Sequence, residues 1–91
     1  MSLGTKRKDP DAIIDFGVDW SDWLATGETI TASWWTVESG LTENSNTFGD
    51  TSTTIWVQGG TAGETYTLAN KVATSGGRTD ERSFEVMVEE R

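Results

Sequence analysis

Between Thr53 and Met87 the chain repeats one pattern three times: a short run with apolar residues on one parity, ended by glycine. Thr53-Thr54-Ile55-Trp56-Val57 is β-branched and aromatic and stops at Gln58-Gly59-Gly60. In the next run Tyr66, Leu68 and Val72 share one parity, while Thr67, Ala69 and Lys71 take the other. After Ser75-Gly76-Gly77, Phe84, Val86 and Val88 alternate with Glu85, Met87 and Glu89. Successive strand residues point to opposite faces, so this period of two describes antiparallel strands with one buried and one wet face. Glycine pairs between the runs reach positive φ and permit tight reversal. The stretch is expected to form a β-meander whose apolar face the other segments cover.

A chain of 91 residues is one small domain, and such a chain buries roughly 60–65% of its unfolded surface on folding. It has no cysteine, so neither a disulfide nor a thiolate metal site supplements the core. Its five tryptophans do, because an aromatic side chain buries about 150–250 Å². No stretch reads as a membrane span or a secretory signal. A formal charge of −8 argues against nucleic acid, which calls for a basic patch. The one basic cluster, Lys6-Arg7-Lys8, is expected as part of a flexible, solvated N-terminal arm over residues 1–8, with a single domain over residues 9–91. Without histidine or cysteine, nucleophilic triads and ordinary zinc sites are excluded.

The rest of the chain supplies further short strands. Asp9-Pro10-Asp11 breaks regular structure, and Ala12–Val18 reads as an edge strand with Ile14, Phe16 and Val18 on one side. Asp19-Trp20-Ser21-Asp22-Trp23-Leu24 reads as one helical turn near residues 19–24, because tryptophans three apart share a helix face and Asp19 can cap the amide of Asp22. Thr29–Val37 is a strand with a parity fault: Ile30 and Ala32 share one face, Trp35 and Val37 the other. A bulge near Ser33 would put Trp35 in the core and Trp34 outside. Leu41–Phe48 is a weak, polar strand. About seven short strands in this length indicate an all-β, antiparallel β-sandwich of immunoglobulin-like type. The expected core is Ile30, Trp35, Val37, Tyr66, Leu68, Val72, Phe84, Val86 and Val88. Tyr66 also follows a small-residue corner, Thr61-Ala62-Gly63-Glu64-Thr65, to which its hydroxyl is expected to bond back.

Candidate chemistry is sparse. Asp15, Asp19, Asp22 and Glu28 offer hard oxygen ligands, but no calcium-loop pattern orders them, so no metal or other cofactor is expected. Paired carboxylates for glycoside chemistry need a cleft that a small sandwich rarely provides. Trp20, Trp23, Trp34 and Trp56 would suit a sugar-stacking platform if they stood in a row. Arg78, Asp80, Glu81 and Arg82 follow a glycine turn and suit partner binding, as does Trp34 on the outer face. Docking is expected through the Ser75–Arg82 loop and an adjoining edge, with Arg78 and Arg82 forking onto partner carboxylates.

Several blocks in order resemble a family of tailed-bacteriophage and prophage structural proteins. They are Lys8-Asp9-Pro10-Asp11-Ala12, Asp19-Trp20-Ser21-Asp22-Trp23-Leu24, Gly27-Glu28-Thr29-Ile30 and Trp35-Thr36-Val37. Gly59-Gly60-Thr61-Ala62-Gly63, Tyr66-Thr67-Leu68 and Gly77-Arg78-Thr79-Asp80-Glu81-Arg82-Ser83 continue the series. Members are described as fiber–tail adaptor or head–tail region proteins with an immunoglobulin-like fold. Trp34 and Gly76 depart from the family pattern, which has a small or hydroxylated residue and, more often, alanine there. The resemblance implies a non-enzymatic virion component, made in the host cytoplasm, that binds other phage structural proteins of the tail, neck or fiber and neither nucleic acid nor membrane. A carbohydrate-binding sandwich that helps the virion adhere to a cell surface is the alternative.

Overall fold

A computed structural model describes residues 2–90. Seven strands run in chain order: β1 (Ser2–Lys8), β2 (Ile14–Asp19), β3 (Ile30–Val37), β4 (Leu41–Phe48), β5 (Ser52–Gly59), β6 (Thr65–Thr74) and β7 (Thr79–Val88). They form a four-stranded sheet in the order β1-β7-β6-β3 and a three-stranded sheet in the order β2-β5-β4. β1 lies parallel to β7, and the other pairings are antiparallel. The inner faces share one core: Val18, Ile55 and Val57 from the smaller sheet, and Ile30, Leu68, Val72, Phe84, Val86 and Val88 from the larger. Phe16 of β2 meets Phe84 of β7 across it, ring centroids 5.8 Å apart.

The expectation of an immunoglobulin-like sandwich carrying a helical turn does not hold as stated. The chain is all-β with seven strands in two sheets, and no helix of any kind occurs among the described residues. At residues 19–24 the amides of Trp23 and Leu24 both donate to the Trp20 carbonyl, at 3.0 and 3.1 Å, and the pattern goes no further. Asp19 accepts from the amide of Ser21 at 2.9 Å, closing an Asx-type turn rather than capping Asp22. A lone turn fixes several dihedrals for few hydrogen bonds, and the next reversal, Glu28 amide to Ala25 carbonyl, follows at once.

Three other expectations change. The runs beginning at Thr53 are not a continuous meander, because β5 pairs with β2 and β4 while only β6 and β7 form a hairpin. The chain crosses between sheets after β5, where Gly59 and Gly60 take φ of 84° and 96°. A Cβ on Gly60 would stand 2.7 Å from the Val88 side chain. The Tyr66 hydroxyl accepts the Thr61 amide at 2.9 Å and pins this crossing. Residues 2–8, expected as a free arm, are strand β1 along β7, and Lys8 is fully buried. Its ammonium donates to the carbonyls of Asp9 and Gly59 at 2.9 and 2.8 Å, and burial lowers its pKa. The bulge in β3 falls between Ile30 and Ala32, earlier than Ser33. It leaves Trp35 half-buried, edge-on to Phe84 at 6.0 Å, and Trp34 52% exposed.

Candidate functional site

Charged and aromatic side chains concentrate at one end of the molecule, where the Trp20–Leu24 turn, the loop into β3 and the β6–β7 turn meet. Glu28 is the hub. Its carboxylate accepts from the Ala25 amide at 2.9 Å, from the Thr74 hydroxyl, and from Arg78 through both Nε and Nη2. These donors hold its carboxyl at about 2, with Arg78 the largest cause, and the same contact raises the Arg78 pKa. Gly76 makes room for the arrangement, since a Cβ there would sit 2.7 Å from Glu28 Oε2. Glu28, Arg78, Ser75, Gly76 and residues 25–27 line an open depression of about 410 Å³.

The two arginines expected to reach a partner are engaged within the chain. Arg78 lies 4.3 Å over the Trp23 ring and donates to the Trp23 carbonyl at 3.1 Å, besides its fork onto Glu28. Arg82 is 6% exposed, lies 4.4 Å over the Trp20 ring, and donates to the Asp19 carbonyl and to Asp22 at 3.0 and 3.1 Å. Beneath it Trp20 is fully buried, and its indole donates to Asn70 Oδ1 at 2.9 Å. Asn70 also accepts from Thr53 and donates to Ser33 and the Trp34 carbonyl. Burial of these polar groups is offset by that closed network, although Arg82 Nε and Trp35 Nε1 are buried without a partner. This end of the fold is therefore cross-linked scaffold: Arg78 is forked onto Glu28, and Arg82 is held through Nη1.

The remaining candidates are dispersed. Asp80 is exposed and accepts the Glu81 amide. Trp34 stands on the outer face of the larger sheet, opposite Lys71 in register. Trp56 stands 40% exposed on the outer face of the smaller sheet, opposite Asp15. With Trp20 buried and Trp23 beneath Arg78, the four indoles form no row. Asp15, Asp19, Asp22 and Glu28 do not converge either, and no group of acidic side chains able to hold a metal occurs among the described residues. Sequence reasoning missed Glu28 as a hub, because nothing local to it announces Arg78. It also missed the Asp15–Trp56 pairing, which only the β2–β5 register creates.

Residues 8–87 match the sequence model of a family described as podophage GP4 fiber-tail adaptor protein gp77. No curated protein matches. Among solved structures, the chain is similar to a cysteine protease inhibitor, EhICP2, from Entamoeba histolytica, with a TM-score of 0.60. That likeness covers 96% of this chain and 86% of the inhibitor at 13% identity, and it carries the fold alone.

Proposed function

The chain belongs to the podophage GP4 fiber-tail adaptor family, and from that premise we propose that it is an adaptor in the tail or neck region of a phage or prophage virion, working by contact with other virion proteins. Its role is non-enzymatic. The observation that carries this reading is the family match over residues 8–87, which runs from the last residue of β1 to the penultimate residue of β7. The architecture suits the task, because a rigid two-sheet body presents flat faces and edge strands to neighbours. Glycan adhesion lacks comparable support, since it calls for indoles in a row.

The test is the composition of the particle. Quantitative mass spectrometry of purified virions should find the protein in fixed copy number, and disrupting its gene should yield particles with incomplete tails. Infectious virions of normal morphology that lack the protein would overturn the reading.

A further inference from the structure

The chain twice solves the same recognition problem internally. Arg78 stacks on Trp23 and forks onto Glu28, and Arg82 stacks on Trp20 and pairs with Asp22. Each time an indole face and a carboxylate together hold a guanidinium, which is planar, weakly hydrated and forked, and so suits both at once.

A third indole–carboxylate pair has no arginine among the described residues. Asp15 of β2 and Trp56 of β5 are direct cross-strand partners, and both are exposed on the outer face of the smaller sheet. Partners of this kind have Cβ atoms about 4.5–5.5 Å apart, close enough for one ligand group to touch both. Gly17, diagonal to Trp56 on the same face, has no side chain to cover the indole's flank. Around them stand small hydroxyl residues, Thr54, Ser45 and Thr47. This sheet supplies no cation of its own: between Lys8 and Lys71 there is no lysine or arginine, so β2, β4 and β5 carry none, and Lys8 itself is buried against carbonyls. Trp34 on the opposite face differs, because Lys71 already stands beside it.

We propose that the outer face of the β2-β5-β4 sheet docks an arginine-bearing surface of another virion protein, with a guanidinium seated on Trp56 and paired to Asp15. The inference rests on the adaptor reading and adds the face and the chemistry of its partner. Charge complementarity selects that partner: the face offers the Asp15 carboxylate, hydroxyls and the Trp56 indole, and its strands carry no cation. It reverses the expected polarity of docking, in which this chain was to supply the arginines.

Variants supplied in trans to a phage lacking the gene test it, with copies per virion counted by mass spectrometry and folding checked by melting temperature. Trp56→Ala and Asp15→Lys should each cut incorporation by about tenfold or more, as loss of an interface anchor does. Asp15→Asn should cut it less, and Trp34→Ala should incorporate normally. Both Asp15 changes lie at an exposed position, so they remain informative if Trp56→Ala is poorly folded. In a second arm, purified protein is rebound to particles that lack it. Binding should weaken as sodium chloride rises, and less steeply for Asp15→Asn. Normal incorporation of Asp15→Lys overturns the proposal while leaving the adaptor reading intact. Salt-independent binding that soluble sugars block also overturns it, in favour of a glycan. Wild-type protein missing from virions overturns the adaptor reading and this proposal together.

Discussion

Glu28 ties the loop that enters β3 to the turn between β6 and β7, and its titration should be visible in the stability of the whole chain. Its carboxyl sits at about 2 in the folded protein against an ordinary value of 4.5. Below about 4.5 the unfolded chain takes up a proton that the folded chain refuses, so this contribution is full above that pH and is lost as pH falls toward about 2. Melting curves for Glu28→Gln should therefore be flatter than wild type across that window, and parallel curves would contradict the hub. The tryptophans make a second residue-scale test. Trp20→Ala should cost about 3–5 kcal/mol, as truncation of a fully buried aromatic does, Trp35→Ala less, and Trp34→Ala about 1 kcal/mol or below. Urea unfolding gives the order, and equal losses for Trp34 and Trp35 would contradict their opposite orientations. Much of this was legible in principle. Asn70 shares its parity with Leu68 and Val72, and Arg82 shares its parity with Phe84 and Val86, so the alternation puts both on the inner face, although the loop reading sent Arg82 outward to a partner. A polar residue on an apolar parity signals a buried network, but the pattern alone does not name its partners.

At the scale of elements, the strands were more legible than their assembly. The alternation in β6 and β7 reports burial directly, because each strand has one inner and one outer face. β4 lies where its weak pattern put it, and seven of its eight residues are exposed. The hidden part is pairing. Nothing in Thr53–Val57 says that it pairs with β2 and β4 rather than with Tyr66–Val72. The parallel pairing of β1 was equally obscure, since three consecutive basic residues read as solvated and the burial of Lys8 depends on a carbonyl 51 positions away. Native-state hydrogen exchange should reflect the assembly. Amides of β6, bonded on both sides, should exchange far more slowly than those of β4, an edge strand with a register shift between Glu43 and Ser45. Comparable protection in both would mean that β4 is covered. Lys8→Met should cost about 1–3 kcal/mol in chemical denaturation, because two carbonyls lose a charged donor.

The whole molecule is an acidic body whose few cations are mostly engaged. Among the described residues Arg7, Arg78 and Arg82 are in ion pairs with Glu89, Glu28 and Asp22, and Lys8 is buried, while the chain carries 15 acidic side chains. Self-repulsion follows from such a balance. Moderate salt should therefore raise the melting temperature of the free protein, and a fall would mean that the ion pairs outweigh the repulsion. The same surplus of acid suits a part that is completed by a cationic neighbour in an assembly, which is the adaptor reading at its largest scale. A cryo-electron microscopy reconstruction of the purified virion tests that claim most directly. Density for this two-sheet domain is expected at the junction of the tail with its neighbouring components, with the face bearing Trp56 against a neighbour. A reconstruction that resolves every component of the tail and neck and contains no such domain would contradict it.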